Sequence, residues 1–213
     1  LGWTQTGYRF RNYSITNGLS QSSVTTIQQD FSNGLWIGTQ DGLNRFDGYN
    51  FEIFTAEETK GLESGFITCS DKSKDGKIWF GTTNGLTVYD PLLEEFNTYD
   101  LGSGLPLKVE DIFIDKYQKI WIASSTHGIQ IFNTILKKFE GIKRNVDITK
   151  SQRLFVYSST EVLVFTYDNG LQLWNPYTNK LESIFFPDTE DFVTVNAIVE
   201  VTPDHIFLAT DRG

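Results

Sequence analysis

The 213 residues carry 27 acidic against 18 basic side chains, a formal charge of −9, so the length allows a real hydrophobic core while the sign excludes a nucleic-acid partner. No apolar run approaches a membrane span, and the opening LGWTQTGYRF lacks the basic-then-apolar order of a signal peptide. A single cysteine, Cys69, excludes an internal disulfide, and two distant histidines, His127 and His205, supply metal chemistry poorly, so no metal or cofactor is expected.

Seventeen Phe, nine Tyr and five Trp stand among 18 glycines, the profile of an all-β chain. In chain order, YRFRNY (8–13) reads first, as a lone outer strand. A four-strand unit then recurs. Its first strand is VTTIQQD (24–30), matched by ITCSDKS (67–73), VEDIFID (109–115) and VNAIVEV (195–201). Its second carries Trp36 in LWIGT (35–39), Trp79 in IWFGT (78–82) and Trp121 in IWIAS (120–124), spaced by 43 and 42 residues. VLVFT (162–166) and IFLAT (206–210) are weaker copies. A turn glycine follows each time, at Gly42, Gly85, Gly128, Gly170 and Gly213.

The third strand is LNRFD (43–47), LTVYD (86–90), IQIFN (129–133) and LQLWN (171–175). The fourth is FEIF (51–54), FNTY (96–99), FEGI (139–142) and LESIF (181–185). Asn33-Gly34, Asp75-Gly76, Asp47-Gly48, Asp90-Pro91 and Asn175-Pro176 supply the turns between them. A four-stranded antiparallel meander repeated every forty-odd residues is a β-propeller blade.

One meander cannot bury both faces, so blades must stack around an axis. Residues 18–60, 61–103, 104–146 and 147–188 are the four expected blades, and 189–213 is half of a fifth. Trp36, Trp79 and Trp121, with Phe46, Tyr89, Phe132 and Trp174 from successive third strands, are expected as core between blades instead of sugar-stacking platforms. The chain reads as part of a larger propeller, and its open edges are expected to pair with a second copy.

Loops entering the first strand and turns joining the second to the third should share one end of the propeller. That end would gather Gln40, Asp41, Asn84, Thr126, His127 and Asp168, whose mixed donors and acceptors suit sugar hydroxyls. Each is equally what a tight turn needs, and His127 reads as a turn residue bonding its neighbours. Asp71 to Gly76 starts like a calcium loop, but Thr82 stands where the bidentate acid belongs, so a hairpin turn is expected. Residues 73–79 also resemble the Asp-box turn of sialidases, with the glycine one place early. Glu63, Glu110, Asp111 and Asp168 fall in different blades, and nothing in the spacing pairs two carboxylates for glycoside cleavage. His205 reads as a solvated hairpin residue and Cys69 as a small buried one. The Asn12-Tyr13-Ser14 sequon is discounted on its strand.

GLSQSSVTTIQQDFSNGLWIGTQDGLNRFDGYNFEIF (18–54), with KIWFGTTNGLTVYDP (77–91) and KIWIASSTHGIQIFN (119–133), resembles the two-component regulator propeller repeat. In the fourth copy Leu163 replaces the tryptophan. The resemblance implies the first of two seven-bladed propellers in the periplasmic sensor region of a hybrid histidine kinase. Such receptors continue through a β-sandwich, a membrane helix, a kinase and a receiver. It further implies a non-enzymatic sensor of glycan-derived oligosaccharides, acting as a receptor dimer, that turns on polysaccharide-utilisation genes. A protein-interaction scaffold, and less so a propeller glycosidase or lyase, are the alternatives.

Overall fold

The computed structural model describes residues 10–141, 151–158, 160–184, 193–202 and 205–211. Among them the one helical element is a 3₁₀ turn at Ile15–Asn17. Strands β1 (Val24–Gln29), β2 (Leu35–Thr39), β3 (Leu43–Phe46) and β4 (Phe51–Phe54) pair antiparallel in that order as the first sheet. The second is β5 (Ile67–Lys72), β6 (Ile78–Thr82), β7 (Gly85–Asp90) and β8 (Glu95–Tyr99). The third is β9 (Val109–Ile114), β10 (Ile120–Ser124), β11 (Gly128–Asn133) and β12 (Lys138–Gly141). The fourth is β13 (Ser151–Val156), β14 (Val162–Thr166), β15 (Gly170–Asn175) and β16 (Lys180–Ser183). β17 (Val195–Thr202) and β18 (His205–Thr210) make a two-stranded fifth.

First strands β1, β5, β9, β13 and β17 lie side by side in succession, so each blade turns its leading edge to a common axis. The fold is an all-β propeller of four-stranded antiparallel blades. Turn chemistry closes the hairpins. Gly85 holds φ at +135°, and a Cβ there would sit 2.6 Å from the carbonyl oxygen of Tyr99, so only glycine fits. In all five sheets the pairing of first and second strands slips by one residue at the same height, opposite Thr39, Thr82, Ser124, Thr166 and Thr210. These bulges bend each leading strand where it meets its neighbour.

Burial lies between blades. Trp36 is wholly buried and meets Tyr89, Phe80 and Phe96 of the second blade at 4.5, 5.7 and 6.0 Å between ring centres. Trp79 packs on Phe132 at 5.5 Å, and Trp121 shares a cluster with Trp174. The aromatics expected as core are core.

The structure departs from the sequence reading in three places. β13 was not anticipated. The strand expected over 8–13 is not formed across its described part, 10–13. Tyr13 instead sets its ring edge-on against Phe46 and Phe51, at 4.9 and 5.7 Å, because an outer strand needs a third strand beside it and none follows β18 among the described residues. His205 opens a strand, exposed, with Nδ1 2.9 Å from Thr202 Oγ1. The turn at Pro203-Asp204 and the glycine at 213 lie outside the described residues.

Candidate functional site

Two layers of polar side chains sit at the axial end of the blades: the turns between second and third strands, and the leading strands themselves. In the turns, a buried hydroxyl does the organising. Thr39 Oγ1 accepts the N–H of Asp41 at 3.0 Å and donates to the carbonyl of Gly42 at 2.9 Å. Thr82 repeats both bonds with Asn84 and Gly85, each at 3.0 Å. Ser124 takes the N–H of His127 at 3.1 Å, and Thr166 that of Asn169 at 3.2 Å.

These turns meet the loops that enter the leading strands, of the same blade or the next, as expected. Gly42 N–H donates to Gly65 O at 2.7 Å, and Ser64 and Thr83 hydroxyls lie 3.0 Å apart. Gln40 and Asp41 share one exposed turn, and Asn84 and Asp168 are exposed in the corresponding turns of blades two and four. Thr126 and His127 are brought together, with Nδ1 2.9 Å from Thr126 Oγ1 and Nε2 3.1 Å from Ser103 Oγ. Nε2 of His127 thus ties the turn to the loop ahead of β9, while Nδ1 bonds within the turn itself.

Beneath the turns, the leading strands present edge groups that no further strand covers, and side chains one repeat away satisfy them. Asp71 Oδ2 accepts Ile114 N–H at 2.7 Å, and Asp111 Oδ2 accepts Leu154 N–H at 3.0 Å. Thr68 Oγ1 donates to Val109 O at 2.6 Å. Arg153 spans three blades, donating to Glu110 O at 3.1 Å and to Asn196 O at 2.9 Å. Glu110 itself takes Lys108 at 2.7 Å and Ser125 at 2.6 Å.

Burial pushes the Asp111 carboxyl up to about 6, against the pull of the Leu154 N–H and the Arg153 guanidinium. Burial also raises Asp71 and, more strongly, the Cys69 thiol, whose sulfur lies against Gly81. Asp71 and Asp111 are brought within each other's field, a juxtaposition that sequence spacing did not disclose. Both are already engaged by backbone N–H donors, which makes them latches between blades. No group of three or more metal-ligating side chains occurs among the described residues. Arg153 lies in the strand that sequence reasoning missed; stepping one repeat forward from Val109 would have located it.

At the opposite end the hairpin turns close on the indoles. Asp30 accepts from Ser32, Gly34 and Trp36 Nε1. Burial pushes its carboxyl up, yet these bonds outweigh it and hold the group below its ordinary value. Asp115 serves Trp121 in the same way at 3.0 Å. Blade two has Ser73 in that place, 3.3 Å from Trp79 Nε1, with Asp75 behind it at 2.5 Å. Residues 71–76 therefore form the hairpin turn expected of them.

Residues 18–41 match the family model described as "Two component regulator propeller". That stretch of the first blade carries one copy of such a repeat. Over 45 residues it is 53% identical to Histidine kinase P4 of Formosa agariphila, a stretch that is 21% of this chain and 3% of that protein. Among solved structures it superimposes on the extracellular domain of a hybrid two-component system of B. thetaiotaomicron with a TM-score of 0.81 and 19% identity, over 95% of this chain and 29% of that one. It also matches virginiamycin B lyase of Staphylococcus aureus, with a TM-score of 0.66 and 12% identity, over 87% of this chain and 62% of the lyase. At such identities the two structures speak for the propeller fold alone. The repeat-bearing chain spans less than a third of the extracellular domain it matches.

Proposed function

We propose that this propeller is a non-enzymatic sensory segment of a hybrid two-component receptor, exposed to the periplasm. In this reading it responds to glycan-derived oligosaccharides and passes that binding on towards genes for polysaccharide use. The observation that carries the reading is the regulator propeller repeat at 18–41, set in the first blade of an axially latched stack. The kinase relative and the extracellular neighbour support it. So does the polar turn layer, where Gln40, Asp41, Asn84, Thr126, His127 and Asp168 offer donors and acceptors on a rigid scaffold. No helix among the described residues is long and apolar enough to cross a membrane, so in this reading the anchor belongs to other segments of the receptor.

A second reading, an interaction scaffold that dimerises without a small ligand, draws on the fifth sheet, where Val199, Val201 and Phe207 are 55%, 55% and 64% exposed. Calorimetric titration of the receptor ectodomain with plant and host glycan oligosaccharides separates the two. Saturable heat with one glycan class is expected; silence across the panel, with mass rising with concentration in ultracentrifugation, selects the scaffold. Turnover of an oligosaccharide would move the chain among the propeller lyases and hydrolases.

A further inference from the structure

Between the second and third blades, at the end away from the polar turns, lies a cleft of about 620 Å³. Repeat arithmetic explains its mouth. At the junction of blades one and two, Phe31 lies across Gly76, within 3.1 Å of where a Cβ would stand, beside Pro91. One repeat on, Lys74, Gln118 and Thr134 occupy those three positions, and all three line the cleft. Lys74 N–H donates to Gln118 Oε1 at 2.6 Å, fixing the two lips together while the lysine side chain takes the place of a phenyl ring.

The charge is out of character for a chain of −9. Lys74, Lys77 and Lys137 line the cleft with Asp75 and Asp90. Both carboxylates are engaged by Lys77, at 3.4 and 3.3 Å, and burial of Lys77 is outweighed by that pairing, which raises its pKa. The ammonium groups of Lys74 and Lys137 have no ion-pair partner among the described residues. The floor is apolar: Tyr99 and Leu93 offer surface there, with Trp79 and Phe132 behind them as core. A neighbouring cleft of about 600 Å³ has the reverse character, with Glu58, Glu63, Glu94 and Glu95 against Lys60.

We propose that the cleft between blades two and three binds a small organic anion carrying its carboxylate or sulfate on a ring. Lys74 and Lys137 take the anionic group, and the Tyr99 and Leu93 side of the cleft takes the ring. Two cations at the lips of a largely apolar recess, unpaired among the described residues, suit this class and disfavour neutral or cationic ligands. The inference rests on the cleft alone and stands or falls independently of the sensory reading.

The test is titration of the 213-residue chain at low ionic strength with glucuronate, benzoate and, as the uncharged control, glucose. At least one anion should saturate, and raising the salt should weaken it. Partly exposed ammonium groups contribute at most about fivefold each, so the double variant Lys74→Phe/Lys137→Gln should weaken binding about tenfold with the melting temperature retained. Lys137→Gln alone carries the test if the phenylalanine disturbs folding. Glu94→Gln, in the acidic cleft, should leave affinity unchanged or slightly raised. Binding of glucuronate alone assigns a sugar acid and of benzoate alone an aromatic acid. Glucose binding as tightly as glucuronate, no saturable anion binding, or full affinity in the lysine variants would overturn the proposal.

Discussion

The first three junctions between blades and the fourth solve one packing problem differently. Each of the first three contains an indole whose Nε1 donates to a turn: Trp36 to Asp30, Trp79 to Ser73, Trp121 to Asp115. At the third junction Trp174 of the neighbouring blade adds a second indole, held by Asn179 at 3.2 Å. The fourth junction has Phe155, Leu163, Phe165, Leu171 and Val195 instead. A blade therefore stacks without an indole, as the fourth junction demonstrates, where aliphatic and phenyl volume is joined by the Arg153 bond to Asn196 O. What the indoles add is direction, since a ring hydrogen-bonded to the hairpin turn of its own blade is held in a set orientation.

The comparison breaks most visibly by truncation. Trp36→Ala should cost about 3–5 kcal/mol, because the ring is wholly buried against three aromatic neighbours. Leu163→Ala should cost about 2–3 kcal/mol, the lower part of the aliphatic range, since half of its junction is a two-stranded sheet with exposed apolar groups. Urea midpoints measure both. Equal costs would mean that the indole junctions are no better specified than the aliphatic one.

The turns sharpen the same contrast. Asp115 accepts from Tyr117, Lys119 and Trp121 at 2.8, 2.9 and 3.0 Å, so Asp115→Ala leaves three donors unmet and should cost about 1–3 kcal/mol. Ser73→Ala should cost less, about 1 kcal/mol, because the hydroxyl gives Trp79 a longer bond and Asp75 lies within reach of the same turn. A cycle of Asp115→Ala with Trp121→Phe should return a coupling of about 0.5–1.5 kcal/mol. Zero coupling would reduce the indole bond to a bystander.

How legible this was depends on what each feature is made of. The blades were legible because a tryptophan, a turn glycine and a β-branched leading strand recur together. β13 was not, because Ser151 stands where Val24, Ile67, Val109 and Val195 open the other leading strands, and Arg153 interrupts its apolar run. The turn residues were placed correctly in their turns by the repeat. The axial latches were invisible, since Asp71 reaches Ile114 and Asp111 reaches Leu154 only once bulged edges face one another. The cleft was invisible for a different reason: it arises where Lys74, Gln118 and Thr134 replace Phe31, Gly76 and Pro91 of the preceding junction, and replacements confined to one junction carry no periodic signal.

A pH series probes the axis. Asp111 has a carboxyl that burial raises from 3.8 to about 6, so in the folded chain it holds its proton to higher pH than in the unfolded chain. Stability from this group is fully present below about 4, falls as pH rises, and is gone above about 6. Asp111→Asn cannot ionise, while its amide oxygen can still accept the Leu154 N–H. Asp30 and Asp75, both held below the ordinary carboxylate value, titrate alike in the two proteins and drop out of the difference. The melting temperature of the parent minus that of Asp111→Asn should therefore fall from about pH 4 and level off above about pH 6. A flat difference would mean that Asp111 is charged throughout and that Arg153 compensates it fully. In that case the axis would be an ion pair, and the backbone latch would be incidental to it.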